Sequence, residues 1–203
     1  AAERNVISGN FADGVWIANA GNTGNRVLGN YIGTNAAGTG AVANVRGIRI
    51  ESAAANTLIG GNGAGRGNVV SGNSGEGNSI DAGAGTGTTV LGNLIGVQRD
   101  GTSPLANGSW GVEAGVDAIT IGGVAPGAGN VIANNGAGVV GGIWIRNGTT
   151  AGVTVRGNSI YGNVGLGIDL DVPGVLVNDP GDGDLARAND GQNTPVLTGD
   201  RKS

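Results

Sequence analysis

The sequence predicts an all-β solenoid, a parallel β-helix of about six coils with three short strands in each. Three observations carry this prediction. Short segments return at a long fixed period, the Val/Ile-rich pieces are only three to five residues long, and Gly and Asn recur at fixed offsets between them. Pieces that short are strands rather than helices.

The period comes first. Asn5-Val-Ile-Ser-Gly-Asn10 returns as Asn68-Val-Val-Ser-Gly-Asn73 and as Asn130-Val-Ile-Ala-Asn-Asn135, at spacings of 63 and 62 residues. Val27-Leu-Gly-Asn-Tyr-Ile-Gly33 returns as Val90-Leu-Gly-Asn-Leu-Ile-Gly96. Each super-repeat divides in two, giving units that begin at Asn5, Asn30, Asn68, Asn93, Asn130 and Asn158.

Within a unit the first strand is marked by its aliphatic residue two places after the Asn: Ile7, Ile32, Val70, Ile95, Ile132 and Ile160. Five places after the Asn stand Asn10, Asn35, Asn73, Gln98, Asn135 and Asn163, a column of amides expected to form a ladder at one corner. The second strand opens on Gly14, Gly47, Gly77, Gly111, Gly142 or Gly167. A third piece is visible in five units, through Val27-Leu28, Leu58-Ile59, Val90-Leu91, Ile119–Ile121 and Val153–Val155. Stacked at about 4.8 Å per coil, six coils make a rod of roughly 29 Å. One slot breaks the pattern. Asn78 falls where other coils place Val or Ile, and a buried amide needs partners. Either it bonds to a local turn, or that coil is shifted by one residue, which Gly75-Glu-Gly77 allows; the shift is the expectation.

Composition agrees with a solenoid and excludes other classes. Gly and Pro make 50 of 203 residues, yet 38% of the chain is hydrophobic and 13% charged, too apolar for disorder. Without Cys or His there is no disulfide, thiol nucleophile, Ser-His-Asp triad or Cys/His zinc site. A formal charge of −4 argues against a nucleic-acid partner. No run of 18 apolar residues suggests a membrane span, and no signal peptide is read at the start. The chain reads as a mature protein or an excised fragment. Residues 1–171 form the coils, and 172–203 are an Asp/Asn-rich segment of the same domain that caps or extends them.

The units Gly-Asn-x-Ile/Val-x-Gly-Asn, the paired Gly-x-x-Ile strands and the loop Gly33-Thr-Asn-Ala-Ala-Gly-Thr39 resemble right-handed parallel β-helix repeat proteins of the pectin-lyase-like superfold. The stretch from Gly165 through Asn178-Asp-Pro-Gly181 to Thr198 resembles the segment that ends such helices in large bacterial secreted and surface proteins. The resemblance covers residues 4 to 198 and implies a right-handed helix in an extracellular or cell-surface setting. It implies no single activity, because this superfold hosts lyases, hydrolases, epimerases and non-catalytic modules. Its hydrolases usually carry paired aspartates with Gly-His-Gly and Arg-x-Lys segments, whereas this chain has no His and only Lys202.

The second strand supplies the candidate site. Its outward positions are Trp16, Arg49, Ser79, Glu113, Trp144 and Asp169, followed two residues on by Ala18, Glu51, Asp81, Gly115, Arg146 and Asp171. Trp110 stands just before the same column. Aromatic faces stack on sugar rings and charged groups bond hydroxyls, so Trp16, Trp110, Trp144, Arg49, Glu51 and Asp81 are candidate contacts to a polysaccharide or cell-surface glycan. Glu113, Asp169 and Asp171 could act as an acid/base set with Arg146 stabilising an anion. The plainer alternative is a solvated face of cross-strand ion pairs. The loops at 33–46 and 96–110 lie on one corner, two coils apart, and could wall a groove beside the Trp strip. Asp179, Asp182, Asp184 and Asp190 have the oxygen ligands of a Ca²⁺ site, although the plainer reading of the same segment is an Asx-rich loop that caps the open end of the helix. Asn107-Gly-Ser109 and Asn147-Gly-Thr149 match the N-glycosylation pattern at a frequency close to chance.

The leading functional expectation is an extracellular structural or adhesin-like module with glycan contact along the strip. A polysaccharide lyase, hydrolase or epimerase is second. A self-assembling fibre or coat component is third, with end-to-end or side-by-side association.

Overall fold

The computed structural model describes residues 4–146 and 150–174, and no helix occurs among them. The first coil runs β1 (Val6–Ile7), β2 (Val15–Ile17) and β3 (Arg26–Val27). The second has β4 (Tyr31–Ile32), β5 (Ile48–Ile50) and β6 (Leu58–Gly60), and the third β7 (Val69–Val70), β8 (Asn78–Ile80) and β9 (Thr89–Leu91). The fourth has β10 (Leu94–Ile95), β11 (Val112–Ala114) and β12 (Thr120–Gly122). The fifth has β13 (Val131–Ala133), β14 (Ile143–Arg146) and β15 (Thr154–Arg156), and the sixth β16 (Ser159–Tyr161) and β17 (Ile168–Asp171).

Every strand pairs in parallel with the strand three places along the chain. Three sheets result: six first strands, six second strands and five third strands. This is the parallel β-helix that the repeat predicts. The aliphatic columns close on a shared core, with Ile32, Val70, Ile95 and Ile132 from the first sheet, Ile48, Ile80, Val112 and Ile143 from the second, and Ile59, Val90 and Ile121 from the third. At the corners, glycine is a steric requirement. Gly96 has φ +81°, and a Cβ there would lie 2.0 Å from the Ala133 carbonyl of the next coil.

Two amide ladders run along the corners. In one, each side-chain amide donates to the next Oδ1 through Asn5, Asn30, Asn68, Asn93, Asn130 and Asn158, at 2.8–3.2 Å. The second passes through Asn10, Asn44, Asn73, Asn107, Asn135 and Asn163 at 2.8–3.0 Å. In the two long coils, therefore, Asn44 and Asn107 hold the rungs, and Asn35 and Gln98 do not. Asn44 stands twelve residues after Ile32 and Asn107 twelve after Ile95, where the other coils have three. The inserted residues leave before the rung and return to it. Asn35 instead accepts from the Thr39 N–H at 3.0 Å and closes its own loop. Asn107 is fully buried, so its amide is no glycosylation acceptor in the fold; Asn147 lies outside the described residues.

The register of β8 also corrects the expectation. Asn78 pairs with Ile48 and Val112, in step with its neighbours, and points inward. It is fully buried, and neither amide atom has a partner among the described residues. The chain tolerates the orphaned amide rather than shift the coil, because a one-residue slip would turn Ile80 out of the core.

The long loops do not wall the second sheet. Antiparallel bridges Thr34–Ala41 and Val97–Pro104 close them. Gly38 lies against the Tyr31 ring, the Arg99 N–H donates to the Gly38 carbonyl at 3.0 Å, and Gly101 approaches Leu94. Their tips thus rest on the outer face of the first sheet, whose outward column Val6, Tyr31, Val69, Leu94 and Val131 is apolar.

Candidate functional site

Register places Trp16, Arg49, Ser79, Glu113, Trp144 and Asp169 in one column of the second sheet, with Arg146 beside Asp171. The column divides into two halves that differ in chemistry.

In the lower half Trp16 is 62% exposed, and its indole N–H donates to Glu51 at 2.9 Å. Arg49 pairs with Glu51 at 2.5 Å and with Asp81 at 2.8 Å, and lies 3.8 Å from Asp13. Arg46 bridges Asp13 at 3.3 Å and Glu76 at 3.1 Å. Asp13, Arg46 and Glu76 were not among the expected site residues. Each immediately precedes the glycine that opens a second strand, as Trp110 does, and that shared offset was the available signal.

The upper half is buried. Glu113 is 6% exposed and Trp110 3%, and Ser79 and Asp169 are also covered, so an outward position here does not mean an accessible one. Trp110 stacks on Trp144 with ring centroids 5.6 Å apart at 23°, and the Arg146 guanidinium lies 5.4 Å from the Trp144 ring centre. Trp144 donates its indole N–H to the Asp171 carbonyl at 2.7 Å. The three tryptophans do not form one row. Trp16 stands four coils from Trp144, roughly 19 Å at the coil spacing, and Trp110 is enclosed at the corner.

The Ser79 hydroxyl is 2.8 Å from a carboxyl oxygen of Asp81 and 2.8 Å from one of Glu113, whose other oxygen meets Arg146 at 2.9 Å. One hydroxyl carries one proton and can donate to only one of the two. Burial pushes Glu113 up from the usual carboxylate range, against Ser79 and Arg146. Burial works the same way on Asp81, but Ser79 and Arg49 outweigh it and hold Asp81 low. Ser79 thus bridges one carboxyl whose hold on a proton is raised, Glu113, and one whose hold is lowered, Asp81. Asp169 is raised by burial against the Gly174 N–H, which donates to it at 2.9 Å; its other oxygen has no hydrogen-bond partner among the described residues. Trp144 separates Glu113 from Asp169 in the register, so the two carboxyls do not face each other across an open gap.

Asp179, Asp182, Asp184 and Asp190, the candidate Ca²⁺ ligands, lie outside the described residues. Among the described residues no three acids converge as a metal site would need.

Hollows open on the surface of the described residues, two of them near residues of interest. One, of about 400 Å³, is bounded by Trp16, Ala18, Asn19, Asn22 and Asn25 in the first coil. The other, of about 430 Å³, lies on the outer face of the first sheet, between Tyr31, Val69 and Leu94, the glycine-rich corner 61–67, and the side chains of Arg4 and Arg99. Sequence reading passed over this second hollow. Its signal was the pair of consecutive apolar residues in the first strand of the first five coils, one inward and one outward, as in Val69-Val70 and Leu94-Ile95. No protein-family model, curated protein or solved structure matches the chain.

Proposed function

We propose that this chain is a rigid, non-catalytic β-helix module of an extracellular or cell-surface protein, of the right-handed pectin-lyase-like kind. The observation that carries the reading is the pair of amide ladders running through all six coils without a break. Each rung ties one coil to the next by a side-chain bond in addition to the strand pairing, which suits a stiff spacer. Pulling tandem copies of the chain end to end tests it. Resolved force peaks that weaken in Asn68→Ala are expected, and smooth extension without a peak refutes the reading.

Glycan contact is a second reading, favoured by one observation. The exposed Trp16 ring is held by Glu51 beside Asn19, Asn22 and Asn25, an aromatic face with amide donors and acceptors around it. Loss of glycan-array signal in Trp16→Ala, with Trp144→Ala unchanged, supports it; equal signals from wild type and Trp16→Ala refute it. The enzymatic alternative draws less support, because Glu113 is engaged by Ser79 and Arg146 and Trp144 intervenes before Asp169.

A further inference from the structure

The ion-paired charges of the coils gather at one face. Asp13, Glu51, Glu76, Asp81 and Glu113 cluster at the second sheet, and Arg46, Arg49 and Arg146 are each paired to one or more of them. Arg4, Arg26, Arg66, Arg99 and Arg156 lie away from that cluster, and none of them makes an ion pair among the described residues. Two of these, Arg4 and Arg99, line the hollow on the first sheet, and among the described residues no carboxylate does. Asp100, next to Arg99, is turned to its own loop. It accepts from the hydroxyl of Ser103 at 2.6 Å and from the Thr102 and Ser103 N–H groups, which hold it at about 2.

We propose that this hollow is an oxyanion-binding site, taking a carboxylate or sulfate group of its ligand between Arg4 and Arg99. The Arg4 guanidinium lies 4.1 Å from the centre of the Tyr31 ring, and Tyr31 is itself buried and pressed by Gly38. Cation–π contact anchors the guanidinium on the ring, and a guanidinium can fork onto two oxygens of an anion. Val69 and Leu94 form an apolar floor, where charge–charge attraction is screened less than in open water. Gly61, Gly63, Gly65 and Gly67 bring bare main chain to the wall, so a ligand can approach closely. The site lies on a different sheet from Trp16 and does not depend on glycan contact there.

Titration with sodium sulfate, with dextran sulfate and with neutral dextran tests the proposal at constant ionic strength. Wild type should bind at least one of the two sulfated probes saturably and ignore neutral dextran. Arg4→Ala and Arg99→Ala should each weaken binding about tenfold, the loss of one charge-assisted contact. Arg156→Ala, equally exposed and outside the hollow, should bind as wild type. Saturation by inorganic sulfate shows that the anion alone suffices, whereas binding of dextran sulfate alone shows that the group must be ring-borne; both uphold the site. No saturable binding of either probe, or equal losses in all three variants, overturns it. Exposed arginines are changed throughout, so the fold should persist, and unchanged melting temperatures verify this.

Discussion

Replacing Asn78 by leucine should stabilise the protein. Asn78 is fully buried between Ile48 and Val112, and neither its amide nitrogen nor its oxygen has a partner among the described residues. A buried polar group left unbonded costs about 1–3 kcal/mol. Leucine has nearly the same shape, removes that cost and adds apolar burial. Any misfit of its branched end could return about 1 kcal/mol. A net gain of about 2 kcal/mol is expected, or a rise of about 4–8 °C in melting temperature for a chain of this size. Denaturant unfolding should show a higher midpoint at an unchanged slope. Asn78→Ala is the control, since it removes the amide but leaves a void and should gain less. If Asn78→Leu instead loses 1 kcal/mol or more, the amide is bonded in solution, through a trapped water for instance, and the description of this slot is wrong.

Other outcomes follow from the same geometry. Asn107→Ala leaves the Asn73 main-chain and side-chain N–H groups without their acceptor and should cost about 2–4 kcal/mol, read from the unfolding midpoint; a loss under 0.5 kcal/mol would mean that the ladder is ornamental. Trp110→Ala should cost about 3–5 kcal/mol and change the fluorescence of its stacking partner Trp144, while the exposed Trp16→Ala should stay within about 0.5 kcal/mol. Glu113 titrates above its ordinary 4.5 in the folded chain, so the stability it contributes is complete below that pH and is lost as pH rises toward its folded value. Glu113→Gln should therefore show a shallower decline in unfolding midpoint than wild type as pH rises above 4.5, whatever its absolute stability. Parallel profiles would mean that burial does not raise Glu113.

The fold was legible because its determinants are local and repeated. Glycine must open each second strand, and Ile or Val must fill each first-strand slot, so both register in a one-dimensional alignment. The second ladder was misread in the long coils because counting forward from Asn30 and Asn93 runs into inserted residues. The Asn nearest before Gly47 and before Gly111 is the rung, three and four residues back, so no fixed count finds it. Asn78 was misjudged for a different reason: the rule that buried amides find partners outweighed, in sequence, a register that the neighbouring strands enforce in space. At the candidate site the residue types were legible but their accessibility was not. Whether Ser79, Glu113 and Asp169 meet water depends on the size of the side chains stacked beside them, Trp144 above all, and strand parity says nothing of that. The arginines of the first-sheet hollow come from residues 4 and 99, far apart in the chain, and only the stacking of coils brings them together.

The placement of the two long loops has a consequence for how such a chain can change. Both leave the coil after the first strand and rejoin it at the ladder residue, so the coil closes on the same rung whatever lies between. Doubling the length of a flexible loop costs only about 0.6 kcal/mol in closure entropy. The corners before Asn44 and Asn107 are thus ports at which foreign peptide can be spliced in and displayed at fixed height on the rod. The equivalent corners before Asn10, Asn73, Asn135 and Asn163 offer four more, each set one coil or more from the next.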